Sequence, residues 1–316
     1  MKIVFAGTPF FASRHLEVIM KSDFHISCVL TQPDRVSGRG KQIEPSPVKQ
    51  LAINEGLDIL QPASLKNKDV LEKIQNLEPD LILVVAYGLL IPKEILKIPR
   101  IGCINVHGSL LPRWRGASPM EYSILHGDKK TGLSYMKMTE GLDEGPVYEM
   151  HECNIMPSDK LADIEKKFIG ISENNLINFL KKLQNDEINC IEQDHERATF
   201  APKITKQELQ INWGNILSGD LVKKVNALSN KYGIHTFLGN KRIKIYDVSE
   251  ENSTMPSDPG KIETLNDELI VCCRDGTRVR INKIQMEGKN QVTSKEFLSA
   301  YKELVETSKY FTYRSE

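Results

Sequence analysis

The chain has 316 residues, of which 40% are hydrophobic and 27% are charged, and its 42 basic side chains balance its 42 acidic ones. These proportions are ordinary for a globular protein, and the length is enough for about two domains with separate cores. Zero net charge excludes binding of a polyanion through an overall excess of positive charge, so such a surface must come from local segregation of charge.

Short apolar runs and helical patterns alternate in the first half of the chain. Strands are predicted at Lys2–Gly7 and Ile26–Thr31, with an amphipathic helix between them. Leu81–Ala86 is apolar on both faces, as a central parallel strand is when helices cover both sides. Ile101–His107 follows as a further strand. The alternation predicts βαβ units and an α/β domain with a parallel, doubly wound sheet, which binds ligands beyond the carboxyl ends of its strands.

The pattern changes after a long amphipathic helix that begins at Leu161. We expect the α/β domain to occupy residues 1–187. Residues 188–206 carry few signals and are interpreted as a linker packed over that domain. Residues 207–316 contain short β segments, frequent turns and one late helix, which predict a small β-barrel such as an OB-fold.

A polar pair stands at the end of the strand that finishes at His107. Asn105 lies two residues before His107, so both side chains leave the strand on the same face. An amide beside an imidazole suits polarisation of a carbonyl and stabilisation of an oxyanion. Asp143, in the glycine-flanked TEGLDEGP, is the candidate carboxylate that orients the imidazole. The alternatives are a structural histidine held by one hydrogen bond and an aspartate that serves only its turn.

The loop SLLPRWRGASP follows this pair and is rich in large apolar side chains. Leu110, Leu111 and Trp114 are poor choices for an idle exposed loop. One interpretation is that they line a slot for a flat apolar ligand. The other is that the two leucines seal the core.

A second unusual loop is strongly basic. Between Arg35 and Lys49 it also carries Arg39 and Lys41, against the single acid Glu44, and its glycines and prolines predict an irregular segment. Such a loop is either a solvated surface loop or a cationic arm that becomes ordered on a phosphate backbone.

Several classes of site are disfavoured by the motifs. FAGTPFFA, after the first strand, lacks the GxGxxG of dinucleotide binding, and the sequence has no GxxxxGK[ST] phosphate loop. The seven histidines show no HxxxH or HExxH spacing, so no metal site is predicted. The six cysteines show no CxxC spacing, which disfavours a disulfide scaffold or a structural zinc site.

The expected location follows from the start of the chain and from its hydropathy. The sequence opens directly into the strand-like MKIVFAG, without the features of a targeting segment. No apolar run approaches the roughly 20 residues that span a bilayer. We therefore expect a soluble, cytoplasmic protein of bacterial type.

Taken together, these motifs resemble the formyltransferases that use 10-formyltetrahydrofolate, and within them the branch that formylates methionyl-tRNA. The resemblance covers nearly the whole chain. It is carried by INVHGSLLPRWRGASP, GLDEGP, FAGTPFFA, TQPDRVSGRGKQIEPSPVK, VVAYGLLIPKEIL, ATFAPKITKQELQINW and IQMEGKNQVTSKEFL.

The resemblance implies a fold, two substrates and a set of site residues. The implied fold is a Rossmann-like formyltransferase domain followed by an OB-like domain that binds tRNA. The implied substrates are 10-formyltetrahydrofolate and methionyl-initiator tRNA, with no metal, and the enzyme is expected to act as a monomer. The implied catalytic residues are Asn105, His107 and Asp143. The implied folate contacts are Ser109, Leu110, Leu111 and Pro112. The implied tRNA contacts are Arg35, Arg39, Lys41 and Lys49, with Arg39 directed toward the aminoacyl end.

Two other functions fit parts of the pattern. A related folate-dependent enzyme would formylate a nucleotide amino-sugar or glycinamide ribonucleotide, but the basic loop and the OB-like domain favour tRNA. A non-catalytic RNA- or folate-binding relative has no chemical need for the complete triad. One segment departs from the family pattern: VKKVNALSNKYGIHTF keeps Lys223 and Lys224 but lacks the expected prolines, so the tRNA contacts of the second domain are left open.

Overall fold

A computed structural model describes residues 1–37, 42–251 and 257–314 of the chain, which divides into two units. The first unit comprises Met1–Pro119, Lys130–Asn154 and Asp163–Pro202. The second comprises Met120–Lys129, Ile155–Ala162 and Lys203–Glu316. The contiguous boundaries expected at 187 and 206 stay predictions.

The first unit is built on a mixed β-sheet. Its strands are β1 (Lys2–Gly7), β2 (His25–Leu30), β3 (Arg35–Ser37), β4 (Gln42–Glu44), β5 (Ile59–Leu60), β6 (Leu81–Val85), β7 (Gly102–His107), β8 (Lys130–Lys137) and β9 (Val147–Asn154). The sheet has the order β5-β2-β1-β6-β7-β8-β9, while β3 and β4 form a separate hairpin. The first five strands in this order pair in parallel. Strands β8 and β9 continue the sheet in antiparallel fashion. The prediction of a parallel-rich, Rossmann-like sheet is confirmed.

The order of the strands indicates the edge of this sheet at which a ligand is expected to bind. The chain moves outward from β1 to β2 and β5, then returns to the other side of β1 as β6 and β7. Ligands of such sheets bind beyond the carboxyl ends of the strands, where the order reverses. Strand β6 is buried at every position, as its uninterrupted apolar sequence predicts for a strand covered on both faces.

Helices flank the strands along the chain. They are α1 (Phe10–Met20), α2 (Pro47–Asn54), α3 (Lys68–Asn76), α4 (Lys93–Leu96), α5 (Pro119–Leu125), α6 (Leu161–Gln184), α7 (Ser218–Tyr232) and α8 (Ser294–Ser308). The helix expected from Leu161 is α6, and its predicted apolar face is buried at Leu161, Ile164 and Phe168. In the described part of the chain, no helix combines the length and apolarity that crossing a membrane demands.

The second unit is an antiparallel β structure. Its strands are β10 (His235–Leu238), β11 (Lys241–Glu251), β12 (Ile262–Leu265), β13 (Glu268–Cys272), β14 (Arg278–Met286), β15 (Gln291–Thr293) and β16 (Phe311–Thr312). The sheet has the order β12-β13-β14-β11-β10-β16, with β15 paired to β14. The sheet is curled, which confirms the small barrel-like domain predicted from the short β segments. Helix α8 begins with a capping box between Thr293 and Glu296, which satisfies two otherwise unpaired N–H groups.

Helix α7 was not anticipated from the sequence. It occupies the segment in which the family prolines are missing, and it ends at Gly233, whose φ is +83°. Glycine adopts this left-handed conformation without the steric cost of a Cβ. The departure from the family pattern therefore corresponds here to an uninterrupted helix.

Candidate active site

Three polar side chains meet beyond the carboxyl end of β7. Asn105 and His107 leave the same face of this strand, and Asp143 reaches them from the loop between β8 and β9. Asn105 Nδ2 donates to Asp143 Oδ1 over 3.3 Å. His107 Nδ1 lies 3.6 Å from Asp143 Oδ2, which is an ionic distance longer than a hydrogen bond. The structure thus brings together the three predicted catalytic residues, whose roles stay predictions.

The backbone of the Asp143 loop explains its glycine-flanked sequence. Asp143 has a φ of +47°, a left-handed conformation in which aspartate is enriched among non-glycine residues. A Cβ at Gly145 would lie 1.9 Å from the carbonyl oxygen of Lys137, so any larger residue would push the loop away from β8. The tight loop turns the Asp143 carboxylate toward the end of β7.

The carboxylate of Asp143 is also held from the loop after β7. Gly116 N–H donates to Asp143 Oδ2 over 2.9 Å. Gly116 has a φ of +122°, and a Cβ there would lie 2.7 Å from the carbonyl oxygen of Ala201. Glycine is required at this position for its conformation and for the close approach of a second backbone segment.

The imidazole of His107 is buried and its tautomer is fixed by the protein. Its Nε2 lies 3.0 Å from the carbonyl oxygen of Trp114, and because a carbonyl only accepts, Nε2 carries the hydrogen. Nδ1 is therefore the ring nitrogen that faces Asp143. An amide donor, an imidazole nitrogen and a carboxylate within reach of one another suit stabilisation of an oxyanion together with proton transfer.

A thiol near this site is not a rival nucleophile. Cys103 lies on β7, two residues before Asn105, and is 1% exposed. Burial raises the pKa of its thiol to about 12. Since the thiolate is the nucleophilic form of cysteine, the protonated thiol of Cys103 is unreactive at neutral pH.

The loop after His107 is fixed to the sheet by internal hydrogen bonds. The Ser109 hydroxyl donates to the carbonyl oxygen of Arg113 over 2.6 Å. The Ser134 hydroxyl donates to the Ser109 carbonyl oxygen over 2.6 Å and accepts from Leu111 N–H over 3.1 Å. The hydroxyl of Ser109 and the amide of Leu111 are therefore engaged within the protein.

The apolar side chains of this loop differ in exposure. Leu111 is 4% exposed and packs with Met136 and Val147, and Trp114 is 6% exposed. Of the two interpretations of this loop, sealing of the core therefore applies to Leu111, and Trp114 is buried as well. Leu110 and Pro112 are half-buried. The four predicted folate contacts stay a prediction, which Leu110 and Pro112 suit best by their accessibility.

The basic loop is more ordered at its base than its composition suggests. Hairpin β3–β4 and helix α2 form it, where an irregular segment was expected. Lys49 Nζ donates to Asp34 Oδ2 over 2.5 Å, and this bond is the largest of the causes that lower the pKa of Asp34. Arg35 is exposed and donates to Gln32 Oε1. Lys49 is thus an internal ion-pair partner, while Arg39 and Lys41 lie outside the described residues.

Sequence patterns missed two further groups at this site. One is the carbonyl oxygen of Trp114, which every residue type possesses and which no motif can therefore reveal. The other is the side chain of Gln193, which donates to the carbonyl oxygens of Asp143 and Gly145 from a segment interpreted as a linker. A polar residue in a segment of weak patterning carries no local signal of such a contact.

Comparison with known proteins assigns the chain to a family. Residues 1–180 match the formyl transferase family, and residues 203–302 match the formyl transferase C-terminal domain. The methionyl-tRNA formyltransferase of Methylococcus capsulatus is 40% identical over 95% of this chain and 97% of its own length. That of Kosmotoga olearia is 39% identical over 93% of this chain and 94% of its own length. The chain belongs to the methionyl-tRNA formyltransferase family.

Solved structures of other proteins show the same fold. The sugar 3N-formyl transferase WlaRD, solved with dTDP and 5-N-formyl-THF, has a TM-score of 0.66 at 16% identity, over 92% of this chain and 99% of its own. HypX from Aquifex aeolicus, solved with tetrahydrofolic acid, also has a TM-score of 0.66 at 16% identity, over 99% of this chain and 51% of its own. At this identity the likeness concerns the fold alone. Among the described residues of this family member, no group of three or more His, Cys, Asp or Glu side chains is arranged to hold a metal ion.

Proposed function

We propose that the protein transfers the formyl group of 10-formyltetrahydrofolate to the α-amine of methionyl-tRNA. The observation that carries this proposal is the meeting of Asn105, His107 and Asp143 in a chain similar over almost its full length to methionyl-tRNA formyltransferases. The product, N-formylmethionyl-tRNA, serves translation initiation.

In the proposed reaction, Asn105 and His107 stabilise the charge that develops on the formyl oxygen. The neutral amine attacks the formyl carbon and forms a tetrahedral oxyanion. Asn105 Nδ2 has two hydrogens, and since one is directed at Asp143, the second is available to the oxyanion. His107 with a proton on Nδ1 supplies the other donor. Donors that are held in place before the reaction need no reorganisation when the charge appears.

Asp143 has two tasks in this proposal. Its carboxylate stabilises the protonated imidazole of His107 across the 3.6 Å separation. It also accepts the proton that the attacking nitrogen loses as the new carbon–nitrogen bond forms. When the bond from the formyl carbon to N10 breaks, this proton passes to the departing tetrahydrofolate nitrogen, so no covalent enzyme intermediate or metal is needed.

The basic loop and the second unit are proposed to hold the tRNA. Arg35, Arg39 and Lys41 offer cations to the phosphates of the acceptor arm, whereas Lys49 fixes the base of the loop through Asp34. The β-barrel unit adds further contacts. We also propose that the enzyme acts as a monomer in the bacterial cytoplasm, where aminoacyl-tRNA is available.

A competition assay tests the proposed acceptor. The enzyme is incubated with 10-formyltetrahydrofolate, methionyl-tRNA and a nucleotide amino-sugar, and the formyl group is traced to each acceptor. Formylation of methionyl-tRNA is expected. Formyl transfer to the sugar alone would replace this proposal with the related sugar activity.

A further inference from the structure

The side chain of Gln193 joins the Asp143 loop to a buried arginine. It lies after α6, where Ile191 pairs in antiparallel fashion with Val147 at the start of β9. Gln193 is 7% exposed. Its Nε2 donates to the carbonyl oxygen of Asp143 over 2.9 Å and to that of Gly145 over 2.7 Å. One side-chain amide therefore binds the main-chain carbonyl oxygens on both sides of Glu144.

The other end of the same amide faces Arg115. Gln193 Oε1 accepts from Arg115 Nε over 3.0 Å and from Arg115 Nη2 over 2.8 Å. The orientation of the amide is forced, because the flipped form would set its NH2 against guanidinium donors and its oxygen against carbonyls. Both hydrogens of Nε2 and both lone pairs of Oε1 are used. Glutamate lacks the donors, and asparagine is one methylene too short to span the same groups.

Arg115 is held as firmly as Gln193. Its side chain is 4% exposed, and its two terminal nitrogens also lie 3.3 Å from His195 Nδ1. Arg115 N–H donates to the Thr199 carbonyl oxygen over 2.9 Å, and the Arg115 carbonyl oxygen accepts from Ala201 N–H over 2.8 Å. The bidentate contact with Gln193 therefore starts from a fixed backbone.

The segment that contains Gln193 also holds Trp114, on the other side of the His107 imidazole. Trp114, whose carbonyl oxygen accepts from His107 Nε2, donates its own N–H to Thr199 Oγ1 over 3.0 Å. Residues 193–201 thus contact both loops that face the imidazole, one through Gln193 and the other through Thr199 and Ala201.

We propose that Gln193 is a positioning residue that sets the place of the Asp143 carboxylate relative to His107, with Arg115 as its anchor. This inference rests on the proposed function of the site, since it assigns to Gln193 a part in formyl transfer. Asp143 sits in a left-handed turn with φ of +47°, and its carboxylate is 3.6 Å from the imidazole. A small rotation of the turn would change that distance, and displacements of about 1 Å lower rates by up to about 100-fold.

The test is a double-mutant cycle with Gln193→Met and Asp143→Asn. Methionine keeps the length and loses both sets of hydrogen bonds. We expect Gln193→Met to lower kcat about 10- to 100-fold, with the KM for each substrate close to that of the wild type. In the Asp143→Asn background the same change should have little further effect, because Gln193 acts through Asp143. Steady-state formylation of methionyl-tRNA at varied substrate concentrations provides kcat and KM for each variant.

A second variant separates the two ends of the amide. Gln193→Glu keeps an acceptor for Arg115 and removes the donors to the Asp143 loop, so it should fold and still lose kcat. Gln75→Met, at an exposed glutamine of α3, controls for the chemical change. Rates are referred to folded enzyme measured by circular dichroism.

The outcomes distinguish this inference from the proposed function. If the wild type fails to formylate methionyl-tRNA, the proposed function is wrong. If the wild type is active but the two changes multiply independently, or if Gln193→Glu turns over at the wild-type rate, Gln193 is structural only and the positioning role is overturned.

Discussion

His107 donates Nε2–H to the carbonyl oxygen of Trp114 over 3.0 Å, and this bond fixes the orientation of the imidazole. Since Nε2 is engaged by a protein acceptor, Nδ1 is the ring nitrogen that is directed toward Asp143. Histidines whose second nitrogen is held in this way have one defined tautomer in the neutral state. The chemistry of the site therefore depends on a main-chain atom as well as on its polar side chains.

The role of Nδ1 is tested by two amide replacements. An asparagine at position 107 would place its amide nitrogen where Nδ1 lies. A glutamine there would place its amide nitrogen where Nε2 lies. His107→Gln should keep the contact with the Trp114 carbonyl and lose turnover by about 100- to 10,000-fold, the usual range for an acid–base group. His107→Asn should retain more activity. Equal kcat values for the two folded variants would contradict the assignment to Nδ1.

Asn105→Ala should lower kcat by about 100- to 1000-fold, the typical loss of one oxyanion donor. Binding of both substrates should change little, because the second Asn105 hydrogen is used only when the oxyanion forms. The measurement is kcat and KM with methionyl-tRNA, together with folate binding followed by calorimetry. Near-normal turnover in folded Asn105→Ala would remove Asn105 from the proposed mechanism.

Gly116→Ala should destabilise the protein more than Gly102→Ala does. The two glycines have φ values of +122° and +121°, so both variants carry the cost of a positive φ, about 1–3 kcal/mol. A Cβ at position 116 also meets the Ala201 carbonyl oxygen at 2.7 Å, whereas at position 102 it meets the flexible Lys137 side chain at 3.5 Å. The clash should add about 1–3 kcal/mol.

Urea unfolding of the two glycine variants measures this difference. Gly116→Ala should also lose activity, because its N–H holds Asp143 Oδ2. Equal unfolding free energies would show that the 193–201 segment yields to the added methyl group.

Salt dependence separates the proposed phosphate contacts of the basic loop from its ion-paired Lys49. Lys41→Ala should reduce the slope of log affinity for tRNA against log salt by up to about 0.9, as loss of one phosphate contact does. Lys49→Met should weaken binding without this change in slope, because its ammonium group is paired with Asp34.

Asp34→Asn provides the matched control for Lys49, since it breaks the same ion pair from the other side. The tRNA affinity of Asp34→Asn, and its dependence on salt, should equal those of Lys49→Met. A slope lowered by Lys49→Met alone would return Lys49 to the phosphate-binding residues.

The buried His15 should lower the free energy of unfolding in mild acid, because the folded state binds its proton less readily than the unfolded state. It is fully buried, with Nδ1 2.8 Å from the Phe11 carbonyl oxygen and Nε2 2.8 Å from Ser172 Oγ. Burial lowers its pKa to about 4, below the value of about 6.5 for the unfolded chain. The unfolded state therefore binds the proton first, and stability is lost as the pH falls from about 6.5 toward 4.

The expected loss between pH 7 and pH 5 is about 2 kcal/mol. Urea unfolding of the wild type and His15→Gln at both pH values measures it, because the variant lacks this proton linkage. His25→Gln, at an exposed histidine of β2, controls for other effects of removing a histidine. A difference between wild type and His15→Gln that does not depend on pH would contradict the prediction.

The elements that could be predicted from sequence are those with a strong local pattern. Strand β6 is a continuous apolar run, and α6 repeats its apolar residues at helical spacing, so hydrophobic periodicity identified both. Helix α7 has a weaker pattern and stands where the family pattern led to the expectation of prolines. The burial of Trp114 could not be predicted from its own loop, because that loop contacts a segment far away in sequence, the one that contains Thr199.

The sequence by itself determined the chemistry available to this protein. The i, i+2 spacing places Asn105 and His107 on one face, and the glycines around Asp143 predict a tight turn. Tertiary structure alone decided how these groups are arranged, because hydrogen bonds between distant segments depend on the path of the backbone. It directs Nδ1 of His107 toward Asp143, pairs Lys49 with Asp34, and brings Gln193 to the carbonyls of the Asp143 loop. These contacts involve carbonyls and ordinary side chains, which become specific only when folding brings them within about 3 Å of each other.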